Sequence, residues 1–299
     1  MQIEPADLDR AELADVVRAG WGLAVADLTY VPAGFGTHHY RAGDLFINVD
    51  DAEDWVARGR SLGVAVFLAE HNFEYVHAPR RRPDGGWLAG FGEGRYAAAV
   101  YDLIDGRSGH FGDTLAAADR AAVLAALRRL HDATADLPAH LPARDDFAIA
   151  YRATLFYDSW AGGPYALPAR DLVTSNRTAL ADKLAAYDAL VRDTAPDDWV
   201  ITHGEPHAGN IMWTRDGDLR LIDWDTVRLA PPERDLWLLP GDDWTAYGRT
   251  PDDNALELYR LRWELNDICD FVETLRRPHA DDEDTRTAWH SLAGHLSKS

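Results

Sequence analysis

Thr202-His203-Gly204-Glu205-Pro206-His207-Ala208-Gly209-Asn210, followed by Leu221-Ile222-Asp223-Trp224-Asp225, joins a polar glycine-containing loop to a short apolar strand that ends in a carboxylate. Asn210 and Asp223 stand thirteen positions apart, a spacing that suits a hairpin whose two ends converge on one metal ion. Both offer hard oxygen ligands, which suit Mg²⁺. The plainer alternative is local, since Asp and Asn often end strands and cap turns. Glu205 lies five positions before Asn210, where a carboxylate would meet a reacting hydroxyl. His203, Glu205 and His207 alternate, so an extended segment would set all three on one side, as a zinc site requires. Pro206 interrupts such a strand, and the Pro-Cys-x-x-Cys partner of a zinc deaminase is missing because Cys269 stands alone.

The loop resembles that of the aminoglycoside phosphotransferase family, which reads His-Gly-Asp-x-x-x-x-Asn before a metal strand reading Ile-Asp. Leu229-Ala230-Pro231-Pro232-Glu233-Arg234-Asp235-Leu236 extends the resemblance, most closely to the spectinomycin phosphotransferase branch. It is sharp over residues 200–240 and diffuse elsewhere. The resemblance implies an α+β, two-lobed, protein-kinase-like fold. Residues 1–104 would form a small antiparallel-sheet lobe that binds nucleotide, and residues 105–299 a mainly helical catalytic and substrate-binding lobe. It implies ATP or GTP as donor, Mg²⁺ held by Asn210 and Asp223, and Glu205 in the role of the loop aspartate. His203 would support the loop, and Asp235 would brace it by accepting its backbone N–H groups. Gly34, Phe35 and Gly36 would cradle phosphate, with Asn48 beside them, and the backbone at Asp102 and Leu103 would hold the base. Asp225, with Trp263, Glu264 and Asp267 on a late helix, would meet a cationic small-molecule acceptor. An aminoglycoside or aminocyclitol antibiotic fits that description, and its phosphorylation would confer resistance.

Two departures from the family pattern stand out. Glu205 replaces an aspartate, which moves the carboxylate by about 1.5 Å. Errors of roughly that size cost on the order of a hundredfold in rate. The second departure is a missing lysine. No lysine precedes Lys183, and the position on the third strand where this fold carries one is Asn48. Arg41, Arg58 or Arg60 would have to compensate by bidentate contact. The turn around Gly34 and Gly36 lacks Gly-Lys-Ser/Thr and is not a P-loop. Two other readings therefore stay open. One is a pseudokinase-like protein that binds nucleotide or antibiotic with weak or no transfer; the other is a kinase of a different sugar-like metabolite.

Composition narrows the field. With 299 residues, 46% of them apolar, the chain is long enough for a large core or two lobes. Its single cysteine rules out an internal disulfide. The start, Met1-Gln2-Ile3-Glu4-Pro5, lacks the order of a signal peptide, and no apolar run is long enough for a membrane span, so a soluble cytoplasmic protein is expected. A formal charge of −20 repels phosphate backbones and argues against nucleic acid as a partner. It would attract a polycationic small molecule, although a solvated acidic surface explains the same count. A monomer or weak homodimer is the expected state.

Periodicity sketches the elements. Residues 7–19 have helical spacing, Leu23 to Val31 and Leu45 to Asp50 read as strands around a glycine turn, and Glu53 to Leu68 reads as a helix. A hairpin over Trp87–Leu103 follows, then a helix over Thr114–His131 and a loop over Leu137–Pro142. Helices are expected over Asp145–Trp160, Arg170–Asp193 and Ala255–Leu275, with Gly162-Gly163-Pro164 breaking the run.

Overall fold

Asp9 starts the first helix, α1 (Arg10–Trp21), by accepting from the Ala11 and Glu12 N–H groups, and Gly22 ends it in the left-handed conformation. This computed structural model describes residues 1–34, 36–140, 142–156, 159–194 and 199–297. Phe35, and Leu141 in the expected 137–142 loop, lie outside the described residues. Strands β1 (Thr29–Val31), β2 (His38–Ala42) and β3 (Leu45–Asp51) precede helix α2 (Trp55–Glu70), and β4 (Ala89–Phe91) and β5 (Tyr96–Asp102) follow it. Together the strands form an antiparallel sheet in the order β1-β2-β3-β5-β4.

The chain continues through β6 (Gly106–Ser108), α3 (Ala117–Asp132), β7 (Ala143–Arg144), α4 (Ala166–Ser175) and α5 (Arg177–Asp193). It then runs through β8 (Val200–Thr202), β9 (Ile211–Thr214), β10 (Leu219–Leu221), β11 (Arg228–Ala230), α6 (Glu233–Leu236), α7 (Asp253–Arg276) and α8 (Glu283–Leu296). Two units form along it: Met1–Arg144 with Trp199–Thr250, and Asp145–Asp198 with Pro251–Ser299.

In the first unit, period-two alternation divides β3 between two faces. Leu45, Ile47 and Val49 are buried in one apolar cluster with Leu13, Val17 and Trp21 of α1. Phe46, Asn48 and Asp50 take the other face. The partner strand β5 is buried through Tyr101 and rich in alanine, and Asn48 lies opposite Ala99. Strands β9 and β10 form the expected hairpin, Ile211 opposite Leu221, with β6 on the free side of β9. Strand β11 lies between β7 and β8 in a third small sheet.

In the second unit, α7 packs on α5 and α8, with Leu265, Ile268, Cys269 and Val272 fully buried. The helix expected over Asp145–Trp160 is replaced, among the described residues, by a 3₁₀ turn at Arg152–Phe156. Asp145 and Asp146 each accept the N–H two residues on, at 3.1 and 2.9 Å, and such local bonds compete with a helix. Asp145 is also held by Arg262 at 2.5 Å. The single helix expected over Arg170–Asp193 is two, meeting at Asn176. Helix α8 was not expected, yet it carries a readable start, a capping box between Asp282 and Thr285. No helix among the described residues is long and apolar enough to cross a membrane.

Candidate active site

The 202–210 loop is fixed from below by one carboxylate. Asp235, at the start of α6 and fully buried, accepts from the His203 N–H at 3.0 Å and from the Gly204 N–H at 2.6 Å. His131 of α3 adds its Nε2 at 3.0 Å, and its Nδ1 lies 2.8 Å from the Tyr247 hydroxyl. With Asp235 ionised, Nε2 carries the proton and Nδ1 accepts from Tyr247. Burial opposes ionisation of Asp235, but His131, His203 and Arg234 outweigh it and hold the carboxyl below its ordinary range. Arg234 donates to the Thr202 hydroxyl and to the Thr226 carbonyl, each at 2.8 Å. Gly204 passes between these groups at φ 103°, where a Cβ would stand 2.5 Å from the Arg234 guanidinium and 2.6 Å from the Thr226 hydroxyl.

His203 is committed on both ring nitrogens. Nε2 donates to the Ile222 carbonyl at 2.9 Å, which leaves Nδ1 to accept the Glu205 N–H at 3.2 Å. Complete burial lowers its pKa and keeps it neutral, and the ring packs edge-on to Trp224. His207 accepts the Gly209 N–H and is pushed down to about 4 by burial. The tie to Ile222 joins the loop to the segment that carries Asp223.

Asn210 and Asp223 flank the open end of the β9–β10 hairpin, where the Ile222 N–H donates to the Asn210 carbonyl at 3.0 Å. The Asn210 amide donates to the Glu205 carbonyl at 3.0 Å, which aims its oxygen the other way. Asp223 takes φ 66°, a left-handed conformation that strains a non-glycine backbone. Its side chain opens on the cavity, yet desolvation by the protein around it, then the charges of Asp225, Glu205 and Asp50, raise its carboxyl above the ordinary range. That excess negative charge asks for a cation, and the donor set of one carboxylate and one amide oxygen fits Mg²⁺, which keeps waters and phosphate oxygens for its other positions. Among the described residues no group of three or more His, Cys, Asp or Glu side chains is arranged to hold a metal by itself.

Within the first unit, a cavity of about 350 Å³ collects most of the expected nucleotide residues. Gly34, Asn48, Asp102 and Leu103 line it together with Asn210 and Asp223. Gly36 does not line it, and its N–H contacts the Met1 sulfur at 3.3 Å. The Leu103 N–H already donates to the Asp44 carbonyl, and the Asp102 carboxylate is paired with Arg80 at 2.5 Å. The Asn48 amide oxygen bonds His39 Nδ1 at 3.0 Å, a pair set by the β2–β3 register. Burial lowers the pKa of His39 to about 4, so it is neutral, and so is His77 on the same cavity wall.

Sequence reasoning missed His39, His77, Asp50 and the His131–Tyr247 pair. Asp225 is paired with Arg58 of α2 at 2.8 Å, and the same guanidinium nitrogen lies 3.0 Å from Asp50. Burial raises the Asp50 carboxyl to about 6 despite Arg58 and the Thr37 hydroxyl that donates to it at 2.5 Å. Trp263, Glu264 and Asp267 stand on α7 in the second unit. Glu264 is paired with Lys183 of α5 at 2.5 Å, and Asp267 lies 3.4 Å from His295.

The family model described as the phosphotransferase enzyme family matches residues 50–279. Protein StrN of Streptomyces griseus is 28% identical over 284 residues, covering 90% of this chain and 86% of that protein. Spectinomycin phosphotransferase APH(9)-Ia, solved with ADP and spectinomycin, superposes with a TM-score of 0.75 at 16% identity, over 96% of this chain and 94% of that one. The microcompartment-associated aminopropanol kinase follows with a TM-score of 0.67 at 13% identity, over 96% and 95% of the two chains. Likeness at these identities concerns the fold, which is α+β and protein-kinase-like. With the family match running through most of the sequence, the chain belongs to the phosphotransferase enzyme family.

Proposed function

We propose that this protein is a Mg²⁺-dependent kinase that transfers the γ-phosphate of ATP or GTP to a hydroxyl of an aminoglycoside or aminocyclitol antibiotic, and so confers resistance. The observation that carries the reading is the convergence of Asn210, Asp223, Gly34 and Asn48 on one cavity, beside a loop whose backbone is pinned by Asp235. In this reading residues 1–104 supply the nucleotide site and residues 105–299 the catalytic loop and the acceptor contacts. Gly34 sets backbone against phosphate, and the neighbourhood of Asp102 and Leu103 holds the base. Asn210 and Asp223 hold Mg²⁺, which when bound neutralises phosphate charge. Glu205 orients the acceptor hydroxyl and takes its proton as that oxygen attacks the γ-phosphorus and the nucleoside diphosphate leaves. Asp225, Trp263, Glu264 and Asp267 contact the cationic acceptor, with aromatic and carboxylate faces suited to ammonium groups.

A second reading is favoured by one feature. Asn48 and a neutral His39 stand where a lysine would neutralise phosphate, as in a nucleotide-binding protein with weak or no transfer. Nucleoside-diphosphate release separates the two, measured with ATP or GTP and Mg²⁺ across aminoglycosides, spectinomycin and related cyclitols. Acceptor-dependent release is expected. Nucleotide binding without release on any of these acceptors would favour the second reading or another sugar-like acceptor.

The loop also makes a specific prediction. The Glu205 N–H and carbonyl are held by His203 and Asn210, so Glu205→Asp shortens the side chain on a fixed backbone and is not expected to give a better enzyme. Withdrawing the carboxylate by about 1.5 Å is expected to lower kcat by roughly a hundredfold, with a small change in nucleotide KM. Equal or faster turnover by the aspartate variant would mean that the acceptor hydroxyl is not positioned by the Glu205 carboxylate.

A further inference from the structure

The inner end of the cavity is short of positive charge. Asp223 lines it, and the charges of Asp225, Glu205 and Asp50 act on Asp223. The strand position that would carry a lysine holds an amide, bonded to a neutral imidazole. Of the three arginines that the sequence offers as substitutes, two are turned elsewhere. Arg41 donates to the Gly43 carbonyl at an exposed turn. Arg60 lines a separate groove with Trp55 and Trp87.

Arg58 remains, and its setting is built. One guanidinium nitrogen, Nη1, is held between Asp225 at 2.8 Å and Asp50 at 3.0 Å, and the side chain is 22% exposed. The helix that carries it is pinned just past that residue. The Ser61 hydroxyl donates to the Val227 carbonyl at 3.3 Å, and the Trp87 indole donates to the Gly59 carbonyl at 2.9 Å. The Arg58 Nε–H is buried and donates to no group among the described residues. Nη2 is in no ion pair among the described residues and is not closed off, and an anionic oxygen is its natural complement.

The strand therefore carries the acid, Asp50, and the helix carries the base, Arg58. We propose that Arg58 of α2 is the phosphate-holding cation of this site, supplying from the helix the charge that Asn48 does not supply from the strand. Its Nη1 stays tied to Asp50, and Nη2, which has neither an ion pair among the described residues nor full burial, meets phosphate oxygens of the bound nucleotide. An arginine suits the task because its planar fork serves a carboxylate and a phosphate at once, which a lysine ammonium does not do with fixed geometry. The same tie couples the pose of α2 to the segment carrying Asp223 and Asp225.

This assignment rests on the nucleotide-binding reading above, and the test keeps the two apart. Affinities of adenosine and ATP, and of guanosine and GTP, are measured by calorimetry with Mg²⁺ for the wild-type chain, Arg58→Gln and Arg58→Lys. The readout is the ratio of nucleoside to triphosphate dissociation constants, which cancels any loss of folded protein. Arg58→Gln is expected to lower that ratio about 10- to 100-fold while leaving nucleoside affinity nearly unchanged. Arg58→Lys, which keeps the charge, is expected to retain more of the ratio than Arg58→Gln. A loss shared equally by nucleoside and triphosphate would make Arg58 a structural anchor of α2 and overturn the assignment, leaving the kinase reading intact. A wild-type chain that binds no nucleoside triphosphate would overturn the kinase reading and this assignment with it.

Discussion

Asp223→Asn is expected to lower phosphoryl transfer by at least about a thousandfold and to make the ligand-free chain harder to unfold. The first effect follows from the proposed role of Asp223 as the charged ligand of Mg²⁺, whose removal would cost several kcal/mol in a phosphoryl-transfer transition state, at roughly 1.4 kcal/mol per factor of ten. The second follows from the apo geometry. Asp223 lines the cavity beside Asp225, Glu205 and Asp50, and desolvation by the surrounding protein together with their charges raises its carboxyl above the ordinary range. Between the ordinary carboxylate pKa of about 4 and the raised folded value, the native chain holds a proton that the unfolded chain has released. Stability contributed by this group therefore falls as pH rises through that window. Asparagine has no proton to lose, and it tolerates the left-handed conformation found at φ 66°. The variant and the wild type should unfold alike below about pH 4 and diverge above it, the variant being the more stable. Unfolding midpoints at pH 4 and pH 8 in the absence of nucleotide and Mg²⁺ check this. A variant less stable than wild type at pH 8 would show that the cluster of like charges is already compensated.

Asp235→Ala acts in the opposite direction. It strips acceptors from two buried backbone N–H groups and from His131, and it removes a carboxylate whose pKa its neighbours lower. Breaking a buried, hydrogen-bonded charge of this type costs about 3–5 kcal/mol. That is a large part of the roughly 5–15 kcal/mol by which domains are stable. The expected result is a chain with a sharply lowered unfolding midpoint and little activity. Asp235→Asn, which keeps one acceptor oxygen, is expected to lose less. The sign with pH is fixed by the lowered pKa. The contribution of Asp235 is complete above its unfolded pKa of about 4 and is lost as pH falls through the folded value. The wild type should therefore lose stability in acid more steeply than the alanine variant, which denaturant titrations at a series of pH values would show.

What was legible in the sequence is what is local in the chain. Asn210, Asp223 and Glu205 belong to one loop and one hairpin, so their spacing states their convergence. Asp235 follows in a tetrapeptide, Glu233–Leu236, that forms its own helical turn. Long-range pairings were not legible. The Asn48–His39 bond depends on the register of β2, a strand whose sequence His38-His39-Tyr40-Arg41-Ala42 has too few apolar residues to announce itself. The pairing of Arg58 with Asp225 spans 167 positions. Sequence narrowed the compensating cation to Arg41, Arg58 or Arg60, and only side-chain direction separates them. The helix expected at Asp145–Trp160 failed for a local reason that was readable: two consecutive aspartates favour side-chain turns over helix.

The Asn48–His39 pair has a consequence for chemical probing. The strand position where the resembling family carries a lysine is Asn48, and in this chain the first lysine is Lys183, in the second unit. An acylating or sulfonylating analogue seated in the cavity would find no amine on the strand. It would instead face an imidazole that burial keeps unprotonated, and therefore nucleophilic, at neutral pH. Amine-directed analogues seated in the cavity should find no strand lysine, and reagents tuned to histidine would have His39 and His77 as their handles.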